Sequence, residues 1–146
     1  NAKALKLLPR SGPQFSVRDW VEAEYRPSSI LFISARYVDM SVCAQLLTLW
    51  LDTAMNTLMT MPRTKDLKCW FFIDELGALH RLPALEKGLQ TARNFGGAIV
   101  LGLHAYAKLK EVYGENMAMT LASLARTKLI LGTADRETAT WCWCLA

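Results

Sequence analysis

The chain has 146 residues, about the length of one domain, and such a chain can bury a core without support from disulfides or metals. Hydrophobic residues make up 52% of it and charged residues 21%, proportions that exclude intrinsic disorder and compositional repeats. The net charge of +4 arises from 17 basic and 13 acidic residues that are interspersed, so it argues only mildly for an anionic partner.

Segments of strand and helical character alternate along the chain. Four apolar runs of strand length are nearly continuous rather than alternating, which predicts strands of a parallel sheet covered on both faces. These predicted strands are residues 30–34, 69–73, 98–103 and 128–132. Helical periodicity and its start and stop residues predict helices at 16–24, 41–61, from Pro83 to the Gly96-Gly97 pair, 107–113, 115–124 and from Asp135 onward. The alternation predicts an α/β fold with an open, mostly parallel sheet.

Ligands of open parallel sheets bind at the carboxyl ends of the strands, so the residues that follow each predicted strand are candidates for a site. These residues are Arg36, Asp74, Glu75, His104 and Thr133.

The most informative string is KCWFFIDEL, a hydrophobic strand that ends in the adjacent carboxylates Asp74 and Glu75. In nucleoside triphosphatases this is the Walker B arrangement, in which the first acid holds Mg²⁺, usually through water, and the second polarises the attacking water. Consecutive side chains leave a strand in different directions, so one carboxylate can address the metal and the next the terminal phosphate. A parallel strand that merely runs into a polar turn has the same pattern, and the residues alone leave both interpretations open.

Two further polar residues lie beside predicted strands. Arg93 ends the helix predicted from Pro83, where a cation can reach a phosphate or simply interact with the helix C-terminus. His104 follows the strand at 98–103, where it can hydrogen-bond a terminal phosphate or serve as a structural histidine. The four cysteines and two histidines lack the spacing of ligands, so neither a zinc site nor a disulfide framework is expected.

Four segments together resemble the TraD/VirD4-type coupling proteins of bacterial conjugation and type IV secretion, which are membrane-anchored hexameric ATPases of the RecA-like class. The segments are FSVRDWV, WFFIDELGALHRLPALEKGLQTARNFGG, GLHAYAKLKEVYG and TKLILGT, and they extend over about residues 15–133. The resemblance implies a RecA-like P-loop NTPase fold in which Asp74 is the Mg²⁺-linked acid and Glu75 the water-activating acid. It also implies that Arg93 is an arginine finger that acts on the nucleotide of a neighbouring subunit.

Two features depart from the family pattern. His104 stands where related sequences usually carry Gln, although imidazole can still donate one hydrogen bond to a phosphate. The phosphate-cradling motif GxxxxGK[ST] does not occur in the 146 residues, and in the family it lies upstream, before a helical insertion and after membrane helices. We therefore expect residues 1–146 to be the C-terminal portion of the motor domain, without the P-loop strand and helix, and to hydrolyse ATP poorly alone.

The resemblance implies ATP and Mg²⁺ as cofactors of the parent protein and a ring-shaped hexamer as its assembly. It implies single-stranded DNA, a relaxase and components of the type IV secretion channel as partners, at the cytoplasmic face of the bacterial inner membrane through a region absent from this chain. Candidates for DNA contact are Tyr106, Lys108 and Lys110, although a solvated helix face explains the two lysines at least as well. The alternative is a truncated, non-catalytic remnant of the same fold that binds DNA or protein. An unrelated α/β enzyme ranks lower, because the chain contains no nucleophile motif such as GxSxG.

Overall fold

The computed structural model describes residues 6, 8, 11–23 and 29–143 of the chain. Within these residues it contains six α-helices and two β-strands, joined by loops and short 3₁₀ turns. In chain order they are α1 (Val17–Glu22), α2 (Met40–Thr60), β1 (Thr64–Ile73), α3 (Leu85–Thr91), β2 (Phe95–Leu101), α4 (Tyr106–Tyr113), α5 (Glu115–Leu124) and α6 (Arg136–Trp143). The predicted α/β class is confirmed, and every predicted helix is present with ends shifted by a few residues; residue 24 lies outside the described part.

The two strands form a parallel sheet, and α3 lies in the connection between them, as a parallel pair requires. Residues 69–73 of β1 pair in unbroken register with residues 97–101 of β2. The strand ends are therefore aligned at the carboxyl edge, where Ile73 lies opposite Leu101. This alignment places the residues that follow β1 and β2 next to each other.

The register is interrupted at the opposite, amino-terminal part of the sheet. Thr64 pairs with Phe95 and Cys69 with Gly97, so the segment of β1 between them is longer than its partner on β2. Gly96 takes a φ of 75° there, and a Cβ on it would lie 2.3 Å from the carbonyl oxygen of Asp66. The bulge in β1 therefore depends on a glycine in β2.

Helix α2 contributes to the core that covers one face of the sheet. Met55 and Leu58 are fully buried and belong to one cluster with Phe71 and Ile73 of β1 and with Leu85 of α3. The helix ends before a proline at residue 62, because the residue that precedes a proline is forced into an extended conformation.

The other face of the sheet is open in the described part of the chain. Trp70 and Phe72 alternate with the buried Phe71 and Ile73, and they are 53% and 71% exposed. Their rings stack with centroids 5.5 Å apart. The sequence predicted a sheet covered on both faces, but within the described residues only the face that carries Phe71 and Ile73 is covered.

Two of the four predicted strands are wrong as strands. Residues 30–34 and 128–132 are irregular, and several of their apolar side chains are exposed, including Phe32 and Leu129. An apolar run becomes a strand only where a neighbouring strand pairs with its backbone, and within the described residues β1 and β2 pair only with each other. The other two predicted strands are confirmed, with β1 beginning earlier and β2 lying slightly earlier than predicted.

No helix in the described part of the chain combines the length and apolar character that crossing a bilayer requires.

Candidate functional site

Asp74 and Glu75 directly follow β1 at the carboxyl edge of the sheet. The backbone of Gly102, one residue beyond β2, forms hydrogen bonds with Ile73 before this pair and with Leu76 after it. Its N–H donates to the carbonyl oxygen of Ile73 at 2.7 Å, and its carbonyl oxygen accepts from the N–H of Leu76 at 3.0 Å. A Cβ on Gly102 would lie 1.9 Å from the carbonyl oxygen of Asp74, so the close approach of the two backbones requires glycine.

Glu75 is half-buried, and both of its carboxylate oxygens have partners. Oε1 accepts a hydrogen bond of 2.9 Å from the N–H of Gly77, and in this way Glu75 caps the 3₁₀ turn Leu76–Ala78. Oε2 lies 3.2 Å from Nε2 of His104, which follows the end of β2. A Cβ on Gly77 would lie 2.9 Å from Oε1, so this glycine also keeps the carboxylate in place.

Asp74 is exposed, and its carboxylate makes no hydrogen bond or ion pair with the residues described. Both of its oxygens are therefore available to a cation. Magnesium is usually held by one or two carboxylates together with water and substrate phosphates, and Asp74 fits that role. Among the described residues, no group of three or more His, Cys, Asp or Glu side chains is arranged to hold a metal.

The structure brings three of the four predicted site residues together, but Arg93 is not among them. Arg93 lies in the 3₁₀ turn Ala92–Asn94 immediately before β2, whereas Asp74 and Glu75 lie beyond the far end of the sheet. At the rise of a strand, the seven residues of β2 separate these ends by about 20 Å, much more than the length of an arginine side chain. A phosphate bound at Asp74 is therefore out of reach of Arg93 in the same chain.

The predicted DNA contacts on α4 are not supported for Tyr106 or Lys110. The Tyr106 ring is buried and stacks on Trp141 of α6, with centroids 4.6 Å apart. Lys110 forms an ion pair with Glu137 of α6, which holds the pKa of Lys110 above its usual value. Lys108 is exposed and forms an ion pair with a neighbouring carboxylate on its own helix. Tyr106 and Lys110 thus serve to attach α6 to α4, whereas the ion pair of Lys108 lies within α4.

A hydrogen-bond relay that the sequence analysis missed completes this attachment. The N–H of Tyr106 donates to Oγ1 of Thr138 at 2.9 Å, and that hydroxyl donates to Oδ2 of Asp135 at 2.5 Å. The same oxygen accepts from the N–H of Thr138, and these bonds hold the pKa of Asp135 below its usual value. The spacing of Asp135 three residues before Thr138 at the start of a helix is a capping signal that could have indicated the relay.

Comparisons with known proteins agree with the sequence resemblance. A family model described as the type IV secretion-system coupling protein DNA-binding domain matches residues 1–144. Coupling protein TraD of Escherichia coli (strain K12) is 33% identical over 137 residues, which cover 92% of this chain and 19% of that protein. The chain therefore spans about a fifth of this curated relative.

Solved structures of the plasmid coupling protein TrwB are also similar. The complex with the non-hydrolysable GTP analogue GDPNP has a TM-score of 0.77 at 31% identity and covers 86% of this chain and 30% of that chain. The complex with ADP and Mg²⁺ has a TM-score of 0.71 at 32% identity and covers 77% of this chain and 27% of that chain. These likenesses confirm the RecA-like fold, of which this chain carries a part. The chain belongs to the family of conjugative type IV secretion-system coupling proteins.

Proposed function

We propose that the chain is the C-terminal portion of the motor domain of a conjugative coupling protein, with Asp74 and Glu75 as the acids of its nucleotide site. The proposal rests on their position together at the carboxyl edge of a parallel sheet, which is where α/β folds bind ligands. Similar TrwB structures were solved with ADP and Mg²⁺ and with non-hydrolysable nucleotide analogues, which supports ATP and Mg²⁺ as cofactors of the parent protein.

The two acids have different environments, and these suit different roles. Asp74, with both oxygens available, would hold Mg²⁺ through water, and the bound ion would neutralise charge on the phosphates. Glu75 is oriented by Gly77 and His104, and its remaining lone pairs can accept a proton from a water aligned with the terminal phosphate. His104, at the end of β2, can donate a hydrogen bond either to Glu75 or to a phosphate.

Arg93 fits an arginine finger that acts between subunits. Its guanidinium is exposed, and the length of β2 separates it from the acids of its own chain. If Arg93 stabilises charge on a phosphate, that phosphate must be bound to a second protomer. This is the arrangement that a ring-shaped hexamer provides.

The open sides of the sheet are consistent with a portion of a larger domain. The second face is apolar and exposed, and residues 128–132 form an apolar run without a strand partner in the described part of the chain. Parallel sheets are normally covered on both faces, so we infer that the upstream part of the parent supplies the phosphate-loop strand and the helices that complete the sheet.

The parent protein would then be an ATP-driven motor that links relaxase-bound single-stranded DNA to the type IV secretion channel. Membership of the coupling protein family supports this role, and the family model is described as a DNA-binding domain. We place the parent at the cytoplasmic face of the bacterial inner membrane, anchored by a region outside these residues.

The Glu75→Gln variant of the full-length parent tests the proposed role of this site. The amide keeps the shape of the side chain but cannot accept a proton from water, so we expect turnover to fall by about 10²–10⁴-fold. Nucleotide affinity should stay within a few-fold of the wild-type value. Glu22→Gln, at an exposed position of α1, is the matched control. Wild-type turnover in Glu75→Gln would contradict the assignment, and normal binding without turnover in the wild type would favour the non-catalytic alternative.

A further inference from the structure

The end of the sheet opposite the acids carries a group of basic side chains. We call the four residues Arg63, Lys65, Lys68 and Arg93 the basic end. All four are exposed, and the segment 63–68 contains a single carboxylate, that of Asp66. The basic end therefore has a local excess of positive charge within a chain whose net charge is only +4.

The register of the sheet brings these residues together, although they come from two segments of the chain. Thr64 pairs with Phe95, so Arg63 and Arg93 flank the same edge of the sheet. The Cγ atom of Lys68 lies 2.8 Å from the position of a Cβ on Gly96, so the Lys68 side chain lies against the start of β2. The bulge in β1 and the missing side chain of Gly96 thus place a second cation close to the segment that carries Arg93.

The charges of the basic end are not neutralised within the described part of the chain. Three basic side chains elsewhere have carboxylate partners: Arg36 pairs with Asp39, Lys108 with Glu111 and Lys110 with Glu137. None of the ion pairs or side-chain hydrogen bonds found among the described residues involves a side chain of the basic end. These cations are available to a partner of negative charge.

The complementary negative charge lies at the other end of the same strands. Asp74 and Glu75 carry it, and a bound nucleoside triphosphate would add more. Because the strands hold the two ends about 20 Å apart, one molecule cannot join its own basic and acidic ends. Copies arranged head to tail can join them, and such heterologous contacts close into a ring.

We propose that Arg63, Lys65 and Lys68 contact the nucleotide-bearing end of the sheet of a second copy of the protein, beside Arg93. This inference rests on the proposed function, because it needs a nucleotide at Asp74 and Glu75. The three cations attract the phosphates and carboxylates of the neighbour and orient the finger. They act as positioning residues, and they make assembly depend on ionic strength.

The test removes three charges from the full-length parent in a Glu75→Gln background, where bound ATP would persist. The test variant is Arg63→Gln, Lys65→Gln and Lys68→Gln, and the control removes three exposed charges elsewhere, at Arg18, Arg126 and Arg136. Sedimentation velocity with ATP gives the concentration for half-assembly without requiring hydrolysis. We expect the test variant to raise this concentration by about tenfold and to weaken its dependence on salt, with the control close to the parent. Affinity for a fluorescent ATP analogue should be unchanged in both.

The same proteins are titrated with a labelled single-stranded oligonucleotide and followed by fluorescence anisotropy. If the test variant assembles normally but loses DNA affinity, the basic end binds nucleic acid and the proposal is wrong. Normal assembly with normal DNA affinity also overturns it. A failure of the proposed function would be seen separately, as wild-type turnover by the Glu75→Gln parent. That result would contradict both proposals.

Discussion

Glycines control the position of the acid pair at the scale of single residues. Gly102 lets the end of β2 approach the backbone of Asp74, and Gly77 leaves room for the carboxylate of Glu75. The backbone N–H of each glycine also donates a hydrogen bond, that of Gly102 to the carbonyl oxygen of Ile73 and that of Gly77 to the carboxylate of Glu75. The orientation of the acids therefore depends on residues that carry no functional group.

Gly102→Ala should disturb the site directly. The added methyl group would lie 1.9 Å from a backbone oxygen, and the strain should lower the free energy of unfolding by about 1–3 kcal/mol or more. Gly132→Ala is the control, because nothing lies within 4 Å of its Cβ position. Chemical denaturation of the chain measures both variants, and equal stabilities would contradict the close approach at Gly102.

The relay at the start of α6 should make stability depend on pH. Hydrogen bonds from Thr138 hold the pKa of Asp135 below its ordinary value, so the folded state favours the ionised carboxylate. The resulting stabilisation is present above the unfolded pKa of about 4 and is lost as the pH falls through the lower folded pKa. Asp135→Asn should remove this part of the acid dependence. Acid unfolding of the wild type and of Asp135→Asn is compared between pH 5 and the acid limit by tryptophan fluorescence, to which Trp141, stacked on Tyr106, contributes as one of five tryptophans.

At the scale of elements, α2 stabilises the sheet through one buried face. Leu58 is 1% exposed and packs within the main core, whereas Leu49 on the same helix is 59% exposed. Burial, rather than helix propensity, therefore decides which leucines of α2 contribute to stability.

Leu58→Ala should lower the free energy of unfolding by about 2–5 kcal/mol, because it leaves a cavity between α2 and the sheet. Leu49→Ala removes the same atoms from a solvated position and should change it by less than about 0.5 kcal/mol. Urea unfolding monitored by circular dichroism provides the comparison. A similar loss in both variants would show that α2 does not pack on the sheet as described.

The elements also show how far the sequence predicts the structure. Helices were predictable because their periodicity and end signals are local, as for α2 before Pro62. The irregular structure of residues 30–34 and 128–132 was not predictable, because a strand needs a neighbouring strand to pair with and an apolar run does not show whether one is present. In the site, the position of the acids followed from strand polarity. The contact between His104 and Glu75 and the relay through Thr138 depend on tertiary packing, which no local pattern encodes.

On the scale of the whole molecule, the sheet separates two oppositely charged ends. The acids lie beyond the carboxyl edge, and Arg93 lies before the amino-terminal edge of β2. A motor built from such units would need a neighbour to complete each nucleotide site.

Mixing variants of the parent protein tests this dependence on a neighbour. Arg93→Ala alone should lose about 10³–10⁵-fold in turnover while retaining its fold and nucleotide binding, as for arginine fingers that act between subunits. A second variant with an inactivated phosphate loop should also be inactive. Mixed rings should recover activity at interfaces that combine an intact loop with an intact finger, as measured by phosphate release across mixing ratios. Full activity of the Arg93→Ala ring would leave this residue as a cation at a helix end.

The bulge in β1 has a consequence for how such chains can vary in length. It lies between Thr64 and Cys69, and the paired stretch that follows runs without interruption to Ile73. An insertion or deletion in the bulge would be absorbed as a longer or shorter loop, with the acids unmoved. One residue added between Cys69 and Ile73 would instead reverse the alternation and turn Asp74 to the opposite face of the sheet. We therefore expect related sequences to differ in length at the basic end, whereas the number of residues between Cys69 and Ile73 should stay constant.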